Sequence, residues 1–278
     1  MNRLVQTFAD LRARGRKGLI PYLCGGHPRP GVTARTLVEL QLAGATAVEV
    51  GIPFSDPIAD GPVIAEAMHT ALTRGSTPQS VFDEVAQARR ELAIPLVAMV
   101  SVSIVYRAAA GKDSWRGEGG KGLRWFIEKA RDAGFDGFIF PDATLEESTE
   151  LASACAAADM TAALLVAPTT PAERAEKIAQ ASTGFIYMLA RAGITGERQD
   201  APDVGPRVAQ LRKATQTPIA VGFGISSAEH VRAVVKHADA AIVGSAIVRR
   251  MSEADAKGQD PVRAAADFTR QLAQGLEG

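Results

Sequence analysis

Glu49, in the run "VEVG", and Asp60, in the proline-punctuated "IPFSDPIADGP", are two carboxylates eleven residues apart. In a strand, Val48 and Val50 point to one side and Ala47, Glu49 and Gly51 to the other. A carboxylate withheld from water without a partner is driven toward its neutral form, so its pKa rises. A carboxyl titrating near neutrality is suited to general acid–base work. The structural alternative for Glu49 is a hydrogen bond to a neighbouring strand or a pairing with lysine. Asp56 and Asp60 are short acceptors where Pro53, Pro57 and Pro62 restrict the chain. On spacing alone Asp60 reads as the N-cap of the helical pattern that follows.

Three glycine-bearing segments form a second group: residues 193–196, residues 222–224, and Gly244-Ser245, each after a short apolar run. Glycine lets backbone N–H groups approach an anion closely, and a helix N-terminus adds a favourable dipole. Singly each is turn punctuation, but together they read as a phosphate site. On sequence alone Tyr187 reads equally as a site residue or as an aromatic filling the core. Among the histidines, His69, His230 and His237 fall in helical patterns, and His27 in Cys24-Gly25-Gly26-His27-Pro28 reads as a surface-loop residue. All eight lysines fall in helical or loop patterns, which disfavours a Schiff-base aldolase. The histidines do not converge, which disfavours a metal aldolase.

Eight apolar runs must position these groups: residues 19–23, 47–51, 95–100, 137–140, 162–166, 185–189, 219–222 and 241–244. Such continuous runs suit parallel strands covered on both faces. Helical patterns such as "TARTLVELQLAG" and "SAEHVRAVVKHAD" lie between them. Eight strand–helix units in series predict a single-domain α/β protein, a (β/α)₈ barrel, with an open doubly wound sheet as the alternative. In a barrel, the loops after the last two strands are the recurrent phosphate site, and catalytic groups sit at the strands' C-terminal ends. The polar, Gly-rich residues 108–121 predict a flexible insertion.

Basic and acidic residues balance at 31 each, which excludes a global field favouring nucleic acid or an anionic membrane. Cys24 and Cys155 form no disulfide framework or metal spacing, as suits a reducing cytoplasm. The first 18 residues read as an extra amphipathic N-terminal helix without the apolar stretch of a signal peptide. The expectation is a cytoplasmic protein.

The segment "EVGIPFSDPIADGPVI" is similar to the signature of the tryptophan synthase α subunit family. The likeness continues through "PYL", "LVAPTTPAER", "GFIYMLARAGITG", "VGFGISS" and "VGSAIV", in order over nearly the whole chain. The resemblance implies a TIM barrel that cleaves indole-3-glycerol phosphate to indole and glyceraldehyde 3-phosphate. It implies that Glu49 shuttles protons and that Asp60 accepts the indole N–H. Tyr22, Phe223 and Ile225 would wall the indole pocket, Tyr187 would line the site near Glu49, and Gly196, Gly224, Gly244 and Ser245 would hold the phosphate. Residues 191–203 would be a lid whose Thr195 positions the catalytic Asp. The chain itself would carry no cofactor. Its partner would be a pyridoxal-phosphate-dependent β subunit, in an αββα complex, which receives indole through a tunnel.

The pattern departs in three places. His27 replaces a family Asp. Ser101 and Ser103 stand where a Tyr and an Asn are usual, in a segment that meets the β subunit in the family. A "PDLP" turn becomes Pro141-Asp142-Ala143-Thr144. Altered β association is therefore predicted. The alternatives are a catalytically weakened barrel kept as an allosteric partner, or another sugar-phosphate barrel enzyme.

Overall fold

A computed structural model of the chain describes residues 1–57, 60–109, 122–191 and 200–277. Its nine strands are β1 (Gly18–Cys24), β2 (Val48–Gly51), β3 (Leu96–Met99), β4 (Gly137–Ile139), β5 (Thr161–Ala163), β6 (Leu165–Val166), β7 (Ile186–Leu189), β8 (Ile219–Gly222) and β9 (Ala240–Val243). The helices are α1 (Arg3–Ala13), α2 (Val32–Leu42), α3 (Pro62–Thr73), α4 (Pro78–Arg89), α5 (Val102–Ala109), α6 (Gly122–Ala133), α7 (Leu145–Ala157), α8 (Ala172–Ala181), α9 (Gly205–Ala214), α10 (Ala228–Val235), α11 (Ser245–Ala256) and α12 (Pro261–Ala273).

All strand pairs are parallel, in the order β5-β4-β3-β2-β1-β9-β8-β7-β6. The two outermost strands are consecutive in the chain and separated by Leu164 alone. The fifth predicted strand is therefore one extended run that leaves β4 and joins β7 halfway along. Side-chain hydroxyls replace the missing ladder partners there. Thr183 Oγ1 accepts from Ala162 N at 2.8 Å, and Ser182 Oγ accepts from Leu164 N at 3.3 Å. Nine ladder segments thus correspond to the eight strand positions of a barrel.

The strands bury both faces, as their unbroken apolar runs require. Val48, Val50, Leu96, Ala98 and Phe138 pack outward against the helices. Ile20, Ala47, Val97, Ile139, Ala220 and Ile242 fill the interior. Helix α1 closes the end of the barrel at which the strands begin. Its Leu4 and Phe8 join the interior cluster, with the Phe8 and Phe185 rings 5.8 Å apart. Asn2 caps α1 by accepting from Leu4 N, and its Nδ2 donates to Asp136 O at 2.8 Å and Asp159 O at 2.7 Å. Arg3 pairs with Asp136 at 2.6 Å. The opposite end, where the strands finish, is left for chemistry.

Two local expectations change, and two segments of the reading lie outside the described residues. The N-cap of α3 is Gly61, not Asp60, with Pro62 as first helical residue, so the Asp60 carboxylate is not used as a cap. Ala108 and Ala109 of the predicted insertion belong to α5, and its residues 110–121 lie outside the described residues. Of the predicted lid, residues 192–199 lie outside the described residues as well, Thr195 and Gly196 among them. Among the described residues, no helix is long and apolar enough to cross a membrane.

Candidate active site

Glu49 is the second residue of β2, in register between Tyr22 of β1 and Val97 of β3. The alternation that sends Val48 and Val50 outward turns Glu49 into the barrel. It is 1% exposed, and its Oε1 has no hydrogen-bond partner among the described residues. Burial lifts its pKa well above the usual carboxylate range, and neither a cation nor a donor offsets that rise. The neutral form of the carboxyl is favoured as a result.

Two phenols flank it. Tyr22 leans over the end of β2, where a Cβ on Gly51 would come within 2.1 Å of the Tyr22 hydroxyl. Tyr187, second in β7, leans over the end of β8, where a Cβ on Gly222 would meet its hydroxyl at 2.5 Å. A bare glycine at each strand end is what lets each ring lie across its neighbour. Burial raises the Tyr187 pKa, with further contributions from Glu49 and then Asp60. Burial likewise dominates at Tyr22, followed by Cys24, Asp60 and Glu49. The four side chains therefore share one electrostatic neighbourhood. Phe223 stands edge-on to Tyr187, with centroids 6.4 Å apart and planes at 88°.

Past β8 the chain turns sharply. Phe223 and Gly224 both have φ of +79°, a left-handed conformation that costs a non-glycine residue energy and recurs at functional sites. Ile225 is buried beside them. Helix α10 is capped by Ser227, which accepts from His230 N. Helix α11 differs. It opens at Gly244-Ser245 with no side-chain cap, so the first-turn amides and the positive end of a 12-residue helix are not claimed by a cap. Such an end suits an anion.

Asp60 is half-buried, and burial raises its pKa from 3.8 to about 6. Together with Ile52, Phe54, Met99, Ser101 and Asp142 it lines a cavity of about 410 Å³ at the ends of β2, β3 and β4. Ser101 Oγ donates to Asp142 Oδ2 at 2.6 Å, and Val102 N donates to Asp142 Oδ1 at 3.0 Å. Ser101 Oγ also accepts from Ser103 N at 3.1 Å, so the pair caps α5. Met99 was not singled out by sequence reasoning, and Asp142 was named only as part of an altered turn, not as a site residue. The period of two was the available signal for Met99, because it is opposite Gly51 on the face that carries Glu49. No local pattern points to Asp142, which reaches the cavity from a different loop.

His27 is not a surface-loop residue: it is 4% exposed. Its Nε2 is 2.9 Å from Ser252 Oγ of α11, and its Nδ1 has no partner among the described residues. Burial lowers its pKa to about 4. The nearby Asp255 opposes that fall and Arg74 adds to it. This packing links the β1 loop to α11 and does not bring His27 into the cluster around Glu49.

Comparisons with known proteins place the chain in a family and match its fold. Residues 8–277 match the family described as tryptophan synthase alpha chain. The chain is 39% identical over 269 residues to the tryptophan synthase alpha chain of Prochlorococcus marinus (strain NATL1A), covering 96% of each. It is 38% identical to that of Rhodopirellula baltica, covering 100% of this chain and 99% of the relative. Among solved structures, the tryptophan synthase subunit alpha of Legionella pneumophila superposes with a TM-score of 0.88 at 30% identity, covering 100% of this chain and 99% of that one. A chain of tryptophan synthase from M. tuberculosis, in an aminoacrylate-bound form, gives 0.83 at 28% identity, covering 99% and 100%.

Proposed function

We infer from its membership of the tryptophan synthase alpha chain family that this chain is a lyase that cleaves indole-3-glycerol phosphate to indole and glyceraldehyde 3-phosphate. The observation that carries the site assignment is a buried carboxyl without a cation, Glu49, facing the interior beside Tyr22, Tyr187 and Asp60. In this reading the neutral Glu49 carboxyl gives its proton to indole C3, placing positive charge on the ring nitrogen. The Asp60 carboxylate accepts the ring N–H and stabilises that charge. The hydroxyl on the side-chain carbon attached to C3 then returns a proton to Glu49. As the C3–C bond breaks, the electron pair flows back into the ring. Indole and the aldehyde are released, and the Glu49 proton is restored. One carboxyl serves both steps because burial places its pKa above the ordinary range.

The phosphate belongs at the uncapped start of α11, with Gly244 and Ser245, and at Gly224; Gly196 and the Thr195 lid are carried by the resemblance alone. Phe223, Ile225 and Tyr22 wall the indole. The chain carries no cofactor of its own, and its partner is a β chain that holds pyridoxal phosphate, in an αββα assembly in the cytoplasm. Ser101 is buried against Asp142, whereas Ser103 and Tyr106 are exposed on α5. Contact with β at this segment therefore falls to a surface that lacks the family's usual residues, and association is weaker than is usual for the family. Calorimetry with a cognate β chain tests this, and binding of ordinary family strength refutes it. The catalytic reading is tested by indole release from indole-3-glycerol phosphate by the purified chain. Release is expected from the wild type and loss from Glu49→Gln; equal activity in both refutes the acid–base assignment. No release from the wild type, with or without β, would favour the weakened-barrel alternative.

A further inference from the structure

The cavity that Asp60 lines extends past it to Ser101 and Asp142, and its 410 Å³ is bounded by Ile52, Phe54 and Met99 on its apolar sides. Ser101 is the narrow point of the sequence here. It is a small residue at the end of β3, where a bulkier side chain would project into the same space. Its orientation is fixed, because its hydroxyl donates to Asp142 and accepts from Ser103 N. Asp142 is fixed in turn by Val102 N. The room beside Asp60 is therefore bordered by a small side chain, and it is the size of that side chain that leaves the space open.

We propose that Ser101 sets substrate specificity at the ring end of the site, so that this enzyme accepts indoles substituted on the benzene ring, and 5- or 6-methylindole in particular. The inference rests on the reading above, in which Asp60 holds the indole N–H. With the nitrogen fixed at Asp60, the benzene ring points along the cavity, and the space beside Ser101 receives a substituent. Apolar pockets discriminate a single methyl group by about 10- to 200-fold when it does not fit. An open wall removes that penalty.

The test uses the reverse condensation of glyceraldehyde 3-phosphate with indole, 5-methylindole and 6-methylindole, read as the ratio of kcat/KM for methylindole to that for indole. The wild type should give at least one ratio within about tenfold of unity, and Ser101→Phe should lower it at least tenfold. Ser101→Ala removes the bond to Asp142 without filling the space, and it should keep the wild-type ratio. That outcome separates room from local order, and the same variant covers the case in which Ser101→Phe fails to fold. Rejection of both methylindoles by a wild type that condenses indole would overturn the proposal, as would an unchanged ratio in Ser101→Phe or a ratio lost in Ser101→Ala. Failure to condense indole itself would instead overturn the assignment of the site.

Discussion

Replacing Asp60 with Asn tests burial and catalysis together. Asn keeps the shape of the side chain and does not titrate. Burial raises the Asp60 pKa from 3.8 to about 6. At 1.36 kcal/mol for each tenfold change, the folded protein bears at most ~3 kcal/mol for keeping this carboxylate ionised. The sign follows from linkage. The folded state binds the proton more tightly than the unfolded state, so the cost is absent below about pH 4 and complete above about pH 7. The stability of Asp60→Asn relative to wild type should therefore increase by up to ~3 kcal/mol between pH 4 and pH 8, read from urea unfolding at each pH. Catalysis should move the other way. Wild-type kcat/KM for indole release should fall about tenfold per pH unit on the acid side of pH 6, as ionised Asp60 is lost. The variant should lack that limb and should run about 10²- to 10³-fold slower, as when a charge-stabilising group is removed. A stability difference that does not change with pH would show that Asp60 is solvated in the folded protein. An acid limb that survives in the variant would assign that titration to another group.

Glu49→Gln should lower kcat for indole release by about 10²- to 10⁴-fold while the fold is retained, as read by circular dichroism beside the assay. Gly51→Ala should cost activity without touching substrate directly, because the new methyl group would sit 2.1 Å from the Tyr22 hydroxyl and displace the ring; unchanged kinetics would refute the packing of Tyr22. His27→Gln should flatten the acid side of the stability profile. The folded pKa of about 4 lies below the usual 6.5, so wild-type stability is complete above pH 6.5 and falls by up to ~3 kcal/mol as pH drops to 4. Parallel wild-type and His27→Gln profiles across that window would refute a buried neutral His27.

The barrel was legible because its strands are covered on both faces and so stand out as unbroken apolar runs. The orientation of Glu49 was legible for a related reason: strand alternation leaves a carboxylate on the face opposite two valines. The split at Leu164 was not legible, because the change of hydrogen-bonding neighbour leaves residues 162–166 extended throughout and depends on hydroxyls of Ser182 and Thr183 some twenty residues on. His27 was misjudged for a similar reason. Its loop composition is that of a surface turn, and its cover comes from Ser252 of α11, over two hundred residues away. The bond between Ser101 and Asp142 spans 41 residues and two loops, and no local pattern predicts it.

The junction at Leu164 divides the ladder into two arcs of consecutive strands, one from β1 to β5 and one from β6 to β9, stitched together by β1 against β9. A nick in the backbone just after that residue would leave each arc's strand pairings whole, with Tyr187 N donating to Leu164 O and Thr183 N to Ala162 O across the break. Two fragments made separately would then each contain a complete half-shell, with Glu49, Asp60 and Tyr22 on one and Tyr187, Phe223 and Gly244 on the other. The division marks where mixing of two halves can be tried, with the half that carries Glu49 and the half that carries Gly244 labelled or mutated independently.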